Sequence, residues 1–304
     1  MKDIKLELSD PPKIGQIEFK IEKLDRFKDT NYYNYILNFY NTTEQKLTKE
    51  ELNIFYDNIR SLDIHEKMFL FDIRGEYATK TNQIFILKNL FKEDTLSHEL
   101  LHMSSTVCDY KNDIVYSGLS YYSKKIKLGD GLNEGYTELQ NRRLFDSDNK
   151  EHCYECQIVL AKLIEKIIGN DLMRKLYFAG DLNTLIKILQ IYNNQMPVGK
   201  FIKCIDKTIE SDLLIVRKFK EDFNTDYFKY ITSYLITTYT NKMYLKYLKG
   251  DITEDEYLRN IDYYVESIFD IFNIKAEYRP RFNTYHVEKS IESNYKNAKA
   301  LIRK

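Results

Sequence analysis

Tryptophan is absent from this sequence, and helix-breaking residues are scarce, with 4 Pro and 10 Gly in 304 residues. This scarcity, together with long stretches of helical periodicity, favours a helix-rich fold. A surplus of charge is missing as well, because Lys+Arg and Asp+Glu both total 46. No overall field therefore draws the chain to nucleic acid or to an anionic membrane, and we expect neither as a partner.

Long apolar runs are also missing. No segment reaches the length of a transmembrane helix, and the first residues alternate polar and apolar side chains without the apolar core of a secretory signal. We therefore expect a soluble cytoplasmic protein, with secretion left open in case a signal has been trimmed. The cysteines are too sparse for a disulfide framework and indicate a reducing compartment; they are Cys108, Cys153, Cys156 and Cys204. Cys153 and Cys156 have C-x-x-C spacing, but the sequence has no second such pair, so we expect them to pack in the fold.

The early part of the chain contains β-prone segments. Some alternate strictly between polar and apolar residues, and others are short apolar runs. The predicted strands are 4–8 and 17–21, joined by a turn at Pro11-Pro12, and then 68–73 and 82–87. Thr48 and Glu51 have the spacing of a capping box ahead of a predicted helix that reaches about residue 62.

Helical patterns dominate the rest of the chain. A predicted helix from about residue 94 to residue 106 has an apolar stripe formed by Leu96, Leu100, Met103 and Val107. Residues 110–130 carry few helix signals and predict a loop or an irregular hairpin. The remaining predicted helices are 132–145, 153–168, 182–193, 203–223, 226–249 and 254–273. In residues 280–304 the basic residues are interspersed with Glu and Asn, which predicts a solvated helix face.

His98-Glu99-Leu100-Leu101-His102 is the H-E-x-x-H pattern. On a helix it places two imidazoles one turn apart, on a face opposite the apolar stripe, where both can bind one metal ion. Glu99 lies beside the histidines, near enough to reach water at the metal and not placed as a ligand. The pattern is typical of zinc hydrolases, in which zinc lowers the pKa of water to about 7 and a nearby carboxylate takes the proton.

A catalytic zinc usually has a third protein ligand. Glu134 and Glu138 lie one turn apart on the next predicted helix, on the face opposite Leu132, Tyr136 and Leu139. We predict that Glu134 is the ligand. Glu138 suits another role, which is to accept the ring N–H of a ligating histidine and so fix its tautomer.

The two motifs resemble those of the glutamate-ligand zinc peptidases, the thermolysin-like gluzincins. In that family H-E-x-x-H on one helix is followed by Asn-Glu-x-x-Ser/Thr-Asp/Glu on the next, and residues 133–138 match the second motif position by position. The resemblance covers residues 82–145, and the β-prone run 82–87 looks like the family's substrate-aligning edge strand. Two features differ from the thermolysin group: 31 residues lie between His102 and Glu134, which is a longer gap, and the last acid of the motif is Glu instead of Asp.

The patterns and the resemblance together predict a zincin-like α+β fold. We expect a small mixed sheet packed on the H-E-x-x-H helix within residues 1–150, and a mainly helical lobe within residues 151–304 that closes the cleft. The resemblance implies a zinc-dependent peptidase acting on peptide or protein substrates. A non-catalytic zincin-like protein that binds a peptide or a regulatory partner is the alternative.

The resemblance also implies roles for individual residues. His98, His102 and Glu134 are expected to hold Zn²⁺, and Glu99 is expected to act as the general base. Asn133 and Glu138 are expected to contact the metal-binding side chains and fix their orientation without binding the metal themselves. The family adds a Tyr or His from the C-terminal lobe that stabilises the oxyanion. Our candidates for this donor lie in the irregular, donor-rich stretch 279–286, and they are Tyr285 and His286.

Overall fold

Helices make up most of the protein, and the strands lie before residue 130. The computed structural model describes residues 8–68, 74–88, 93–145, 154–209, 225–275 and 283–303. Within these ranges the chain is mixed α+β with small sheets, and its C-terminal part is helical. This confirms the α+β class and the mainly helical C-terminal part.

The first sheet contains β1 (Asp63–Lys67), β2 (Gly75–Ala78) and β3 (Gln83–Leu87) in the order β1-β3-β2. β3 is parallel to β1 and antiparallel to β2. Ile84 and Ile86 point to the buried face of β3, as its alternating pattern requires. The strand predicted at 82–87 is confirmed, but it is the central strand. The expectation that it is an edge strand is wrong, because β1 pairs with one side of β3 and β2 pairs with the other. Among the described strands of this sheet, β1 and β2 are the edge strands.

The predicted strand at 17–21 does not form. Residues 17–20 have no regular structure, and a 3-10 helix begins at Ile21 and ends at Phe27. The backbone N–H of Ile17 donates to the side chain of Asn53 at 2.8 Å, and the ring of Phe19 stacks on that of Tyr56. The alternating pattern therefore belongs to an arm that packs on a helix, and within the described ranges this arm pairs with no strand. The companion prediction at 4–8 falls mostly outside the described residues, and so does the strand predicted at 68–73.

The helices of this part are α1 (Tyr33–Lys46), α2 (Asn53–Asn58) and α3 (Glu93–Met103). Helix α3 packs on β2 and β3, and both α1 and α2 pack on α3. The capping box of Thr48 and Glu51 forms, because each backbone N–H donates to the other side chain. A turn nevertheless separates it from α2, which is shorter than predicted. The helix predicted to reach residue 106 ends at Met103, and after a turn at residues 104–105 the chain enters a strand.

The second sheet is an antiparallel meander, where the sequence predicted a loop or an irregular hairpin. Its strands are β4 (Thr106–Asp109), β5 (Ile114–Ser117), β6 (Ser120–Tyr122) and β7 (Lys127–Leu128). Strands of two to four residues are too short to show a period, which is why the pattern was missed. The meander leads directly into α4 (Asp130–Phe145), which carries the second motif.

The helical C-terminal part follows α4. Its helices are α5 (Glu155–Ile168), α6 (Asn170–Phe178), α7 (Leu182–Tyr192), α8 (Val198–Ile209), α9 (Thr225–Leu248), α10 (Glu254–Ile268), α11 (Asp270–Asn273) and α12 (Thr284–Ala300). Helix α4 packs against α5 and α8, so the two predicted parts share one buried core. In the described part of the chain, no helix combines the length and the apolar character that crossing a membrane requires.

Candidate metal centre

Helix α3 presents its two histidines on the side away from its apolar stripe. Leu96, Leu100 and Met103 are fully buried on the core side. On the other side the Nε2 atoms of His98 and His102 lie 3.1 Å apart. One turn of helix brings the two imidazoles together, and the core contacts of the stripe set the direction in which they point.

Glu134 on α4 completes the group. Its Oε2 atom lies 3.2 Å from Nε2 of His98 and 3.3 Å from Nε2 of His102. The three ligand atoms all lie within 4.8 Å of one another. Two imidazole nitrogens and one carboxylate oxygen are a donor set that suits a catalytic zinc with an open fourth position.

The contact at Nδ1 of His98 indicates whether His98, His102 and Glu134 fit around a cation. Oε2 of Glu138 lies 3.1 Å from Nδ1 of His98. An ionised carboxylate only accepts, so Nδ1 carries a proton, and Nε2 presents a lone pair when the ring is neutral. That lone pair faces the second imidazole and a carboxylate oxygen. These groups fit around a metal ion, which removes their mutual repulsion.

The charges of the cluster depend strongly on one another. Burial by itself lowers the pKa of His98, but the hydrogen bonds to Glu134 and Glu138 outweigh it and raise that pKa well above its usual value. Burial raises the pKa of Glu134, but both histidines outweigh this effect, so the pKa of Glu134 falls below its usual range. His98 and Glu134 are therefore placed to share a proton, and a cation could take the place of that proton.

His102 is supported from α4 as well. Its Nδ1 atom lies 3.2 Å from the amide nitrogen of Asn133 and 3.4 Å from Oγ1 of Thr137. The hydroxyl of Thr137 also pairs with that of Tyr177 on α6 at 2.9 Å. Oδ1 of Asn133 accepts the backbone N–H of Leu119, in the turn between β5 and β6. The second motif thus contributes Glu134 to the group of three, and it also orients His102 and anchors the neighbouring meander.

Two glycines of α4 allow other helices to approach it closely. A Cβ atom on Gly131 would lie 2.6 Å from the carbonyl oxygen of Ile205 on α8. A Cβ atom on Gly135 would lie 2.4 Å from the backbone of Gln157 on α5. Both distances are shorter than real Cβ contacts, so the glycines are needed for this packing. The sequence analysis did not single them out, although their i, i+4 spacing was visible.

An aspartate from α8 holds the N-terminus of α4. The carboxylate of Asp206 accepts the backbone N–H groups of Gly129 and Gly131, each at 3.0 Å. These are N–H groups that a helix cannot satisfy by itself. Asp206 therefore fixes the first turn of the helix that carries Glu134.

Glu99 lies on the side of α3 that faces the edge strand β2. Its side chain is buried, which raises its pKa, and the nearby His98 and His102 partly oppose this shift. A Cβ atom on Gly75 of β2 would lie 2.9 Å from Oε1 of Glu99. Glu99 is not a member of the ligand group. Its position between the histidines and β2 suits a proton acceptor, and that role stays a prediction.

Two tyrosines that the sequence analysis did not single out border the cluster. The ring of Tyr154 stacks on that of His98, with centroids 6.0 Å apart and an interplanar angle of 16°. Tyr154 precedes α5 and has a φ of 59°, an unusual backbone conformation for a tyrosine. Burial raises the pKa of Tyr122 on β6 well above its usual value, and the carboxylates of Asp130 and Glu134 add to the shift. No sequence motif points to either residue.

Tyr285 and His286, our candidates for the oxyanion donor, lie in the first turn of α12. Both side chains are exposed, and their rings contact each other. Helix α12 packs against α9 and α10. The structure does not bring His286 into the ligand group, and Tyr285 faces Lys289 of its own helix.

Comparison of the chain with protein-family models, with curated proteins and with solved structures gives no match. The zincin-like fold and the gluzincin resemblance therefore rest on the two motifs and on the geometry of the cluster. The described residues establish the α+β class and a group of three side chains able to hold a metal ion.

Proposed function

We propose that this protein is a zinc-dependent peptidase of the gluzincin type. The observation that carries the proposal is the convergence of His98, His102 and Glu134, with Glu99 beside them under an edge strand. Zinc bound by these three residues would act as a Lewis acid and lower the pKa of water at the site. The remaining steps belong to side chains and backbone groups of this chain.

Glu99 is the proposed general base. Its raised pKa makes it a better proton acceptor than an exposed carboxylate, because burial disfavours its charge. It takes a proton from the attacking water and delivers it to the amine that leaves. In the proposed site, Nε2 of both His98 and His102 would be directed to the metal. Glu138 is placed to accept the proton on Nδ1 of His98, whereas Nδ1 of His102 faces the amide nitrogen of Asn133 and the hydroxyl of Thr137.

The edge strand β2 supports a peptide as the substrate. The backbone N–H of Leu87 donates to the carbonyl oxygen of Arg74 at 2.7 Å. In the antiparallel register, residues 76 and 78 therefore bond to β3, and the backbone groups of Gly75 and Tyr77 face away from β3. The N–H of Tyr77 is directed to the carboxylate of Glu99, which leaves the backbone of Gly75 and the carbonyl of Tyr77 for a peptide. An extended peptide can pair with such an edge. A chain bound there lies next to Glu99.

A donor for the oxyanion completes the proposal. Tyr154 stacks on His98, and Tyr122 is near enough to Glu134 for that carboxylate to help raise the pKa of the phenol, whereas Tyr285 and His286 are exposed on α12. We therefore propose that Tyr122 or Tyr154 is the oxyanion donor, in place of Tyr285 or His286. Phenol hydroxyls are suitable donors for a developing negative charge.

The test is a cleavage assay with the purified protein on a peptide library derived from a proteome, read by sequencing of the new N-termini. Cleavage should require zinc, stop in the presence of a chelator and return when zinc is added back. The Glu99→Gln variant, matched in size and in metal content, should give no new N-termini. If the unchanged protein binds zinc and peptides without producing new termini, the alternative of a non-catalytic binding protein is favoured.

A further inference from the structure

A chain of hydrogen-bonded charged side chains begins at Nδ1 of His98. Arg142 is one turn beyond Glu138 on α4, and its Nε atom donates to Oε1 of Glu138 at 2.9 Å. Its Nη2 atom donates to Oε1 of Glu155, the first residue of α5, at 3.0 Å. One guanidinium group therefore joins two carboxylates from two different helices.

The two oxygens of Glu138 have different partners. Oε1 accepts from Arg142, and Oε2 faces Nδ1 of His98. The side chain is 3 % exposed, so water contributes little to its orientation. The last torsion of a glutamate rotates easily, and a donor on each oxygen holds the plane of the carboxylate in one orientation.

We propose that Arg142 is a positioning residue for the metal site, acting through Glu138 on His98, and that Glu155 holds Arg142 in place. This inference rests on the proposed function, since it requires that His98 bind a metal. Arginine suits the role because its planar fork donates in two directions at once, which the single ammonium group of a lysine does less well.

The N-terminal end of α5 acts on His98 in two ways, one through other side chains and one by direct contact. Glu155 acts through Arg142 and Glu138, and the neighbouring Tyr154 stacks directly on the imidazole ring. The orientation of His98 is therefore coupled to the position of α5. Apart from Glu138, the residues of this support lie outside H-E-x-x-H and the second motif.

Helix α4 also provides a matched control. Arg143, the next residue, makes two hydrogen bonds to the buried carboxylate of Glu165, at 2.7 and 2.8 Å. Arg143→Met thus removes a partly buried ion pair between an arginine of the same helix and a glutamate. It leaves Glu138 and His98 unaltered. A general loss of stability affects both variants, whereas a positioning effect is confined to Arg142→Met.

The experiment measures zinc affinity by competition with a chelator, the visible spectrum of the Co²⁺-substituted protein, and thermal unfolding without metal. Arg142→Met should weaken zinc binding by about tenfold or more and change the Co²⁺ spectrum. Arg142→Lys should restore part of the affinity. Arg143→Met should lower the unfolding temperature and leave the zinc affinity within about twofold of that of the unchanged protein.

Three results would overturn the inference. Equal weakening of zinc binding by Arg142→Met and Arg143→Met would make the effect structural. Unchanged zinc affinity in Arg142→Met, while the unchanged protein binds zinc and cleaves peptides, would reject the role of Arg142 and leave the proposed function intact. Failure of the unchanged protein to bind zinc would reject the proposed function and this inference together.

Discussion

Glu99 is the residue on which the proposed chemistry depends most directly. It lies beside the ligand cluster without belonging to it, so loss of its charge should separate turnover from metal binding. Glu99→Gln should keep its zinc and lower kcat by about 10² to 10⁴, the usual contribution of a positioned general base. Metal analysis and a peptide-cleavage assay on the same sample check this. Loss of zinc in the variant would instead show that Glu99 supports the site structurally.

Residues of the H-E-x-x-H and Asn-Glu motifs could be identified from the sequence because helix geometry is local. His98 and His102 are one turn apart in any α-helix, and so are Glu134 and Glu138. Arg142 also lies one turn beyond Glu138, but Tyr154 and Glu155 had no such signal. The contacts of Tyr154 and Glu155 depend on where α5 begins in space, and side-chain periodicity does not encode that position.

At the scale of elements, the approach of β2 to α3 depends on Gly75. A Cβ atom there would lie 2.7 Å from Cγ2 of Thr95 and 2.9 Å from Oε1 of Glu99, so Gly75→Ala should displace the strand or the carboxylate. We expect a loss of turnover of about tenfold with zinc affinity retained, because small misplacements of a reacting group are costly. The control is Gly15→Ala, where a Cβ atom would meet nothing within 4 Å. Equal activity in the two variants would contradict a role for this contact.

The contact between α8 and α4 should make stability depend on pH. Burial raises the pKa of Asp206 to about 6, although the N–H groups of Gly129 and Gly131 favour its charged form. Its usual pKa is 3.8, so between these values the folded protein holds a proton that the unfolded chain releases. This contribution to stability is present at low pH and is lost as the pH rises through about 6.

Asp206→Asn has no such titration. The free energy of unfolding of the unchanged protein, minus that of the variant, should therefore fall by about 1 kcal/mol between pH 5 and pH 7. Urea unfolding of both proteins in the presence of a chelator measures this, and titration of the metal site cancels in the difference. A difference that stays constant or rises over this range would show that Asp206 has no raised pKa.

The sheets show most clearly what the sequence could not predict at the scale of elements. The run at 82–87 was recognised as a strand, yet its place in the centre of the sheet depends on pairing with β1 and β2. The arm at residues 17–20 has the alternation of a strand but packs on α2. Alternation indicates only that one side of a segment faces other residues, and it does not identify the element that covers that side.

At the scale of the whole molecule, zinc should stabilise the fold because its proposed ligands come from two helices. A ligand that binds only the folded state adds about 2.7 kcal/mol when its free concentration is 100 times Kd. Thermal unfolding with and without zinc should show this gain, and His102→Ala should lose it. His65→Ala is the matched control, since His65 is an exposed histidine on β1 and should keep the gain. Zinc that leaves the unfolding temperature unaltered would argue against the site.

The sequence by itself determined the features that depend on neighbours within a few residues. These are the helical content, the buried stripes of α3 and α4 and the two pairs of ligand-type side chains on their opposite faces. Only the tertiary structure decided that α3 and α4 face each other, with His98 and Glu134 in contact across 36 residues of chain. That approach depends on close packing of α5 and α8 at Gly135 and Gly131. Such packing depends on the shapes of distant surfaces meeting in three dimensions, which no local period records.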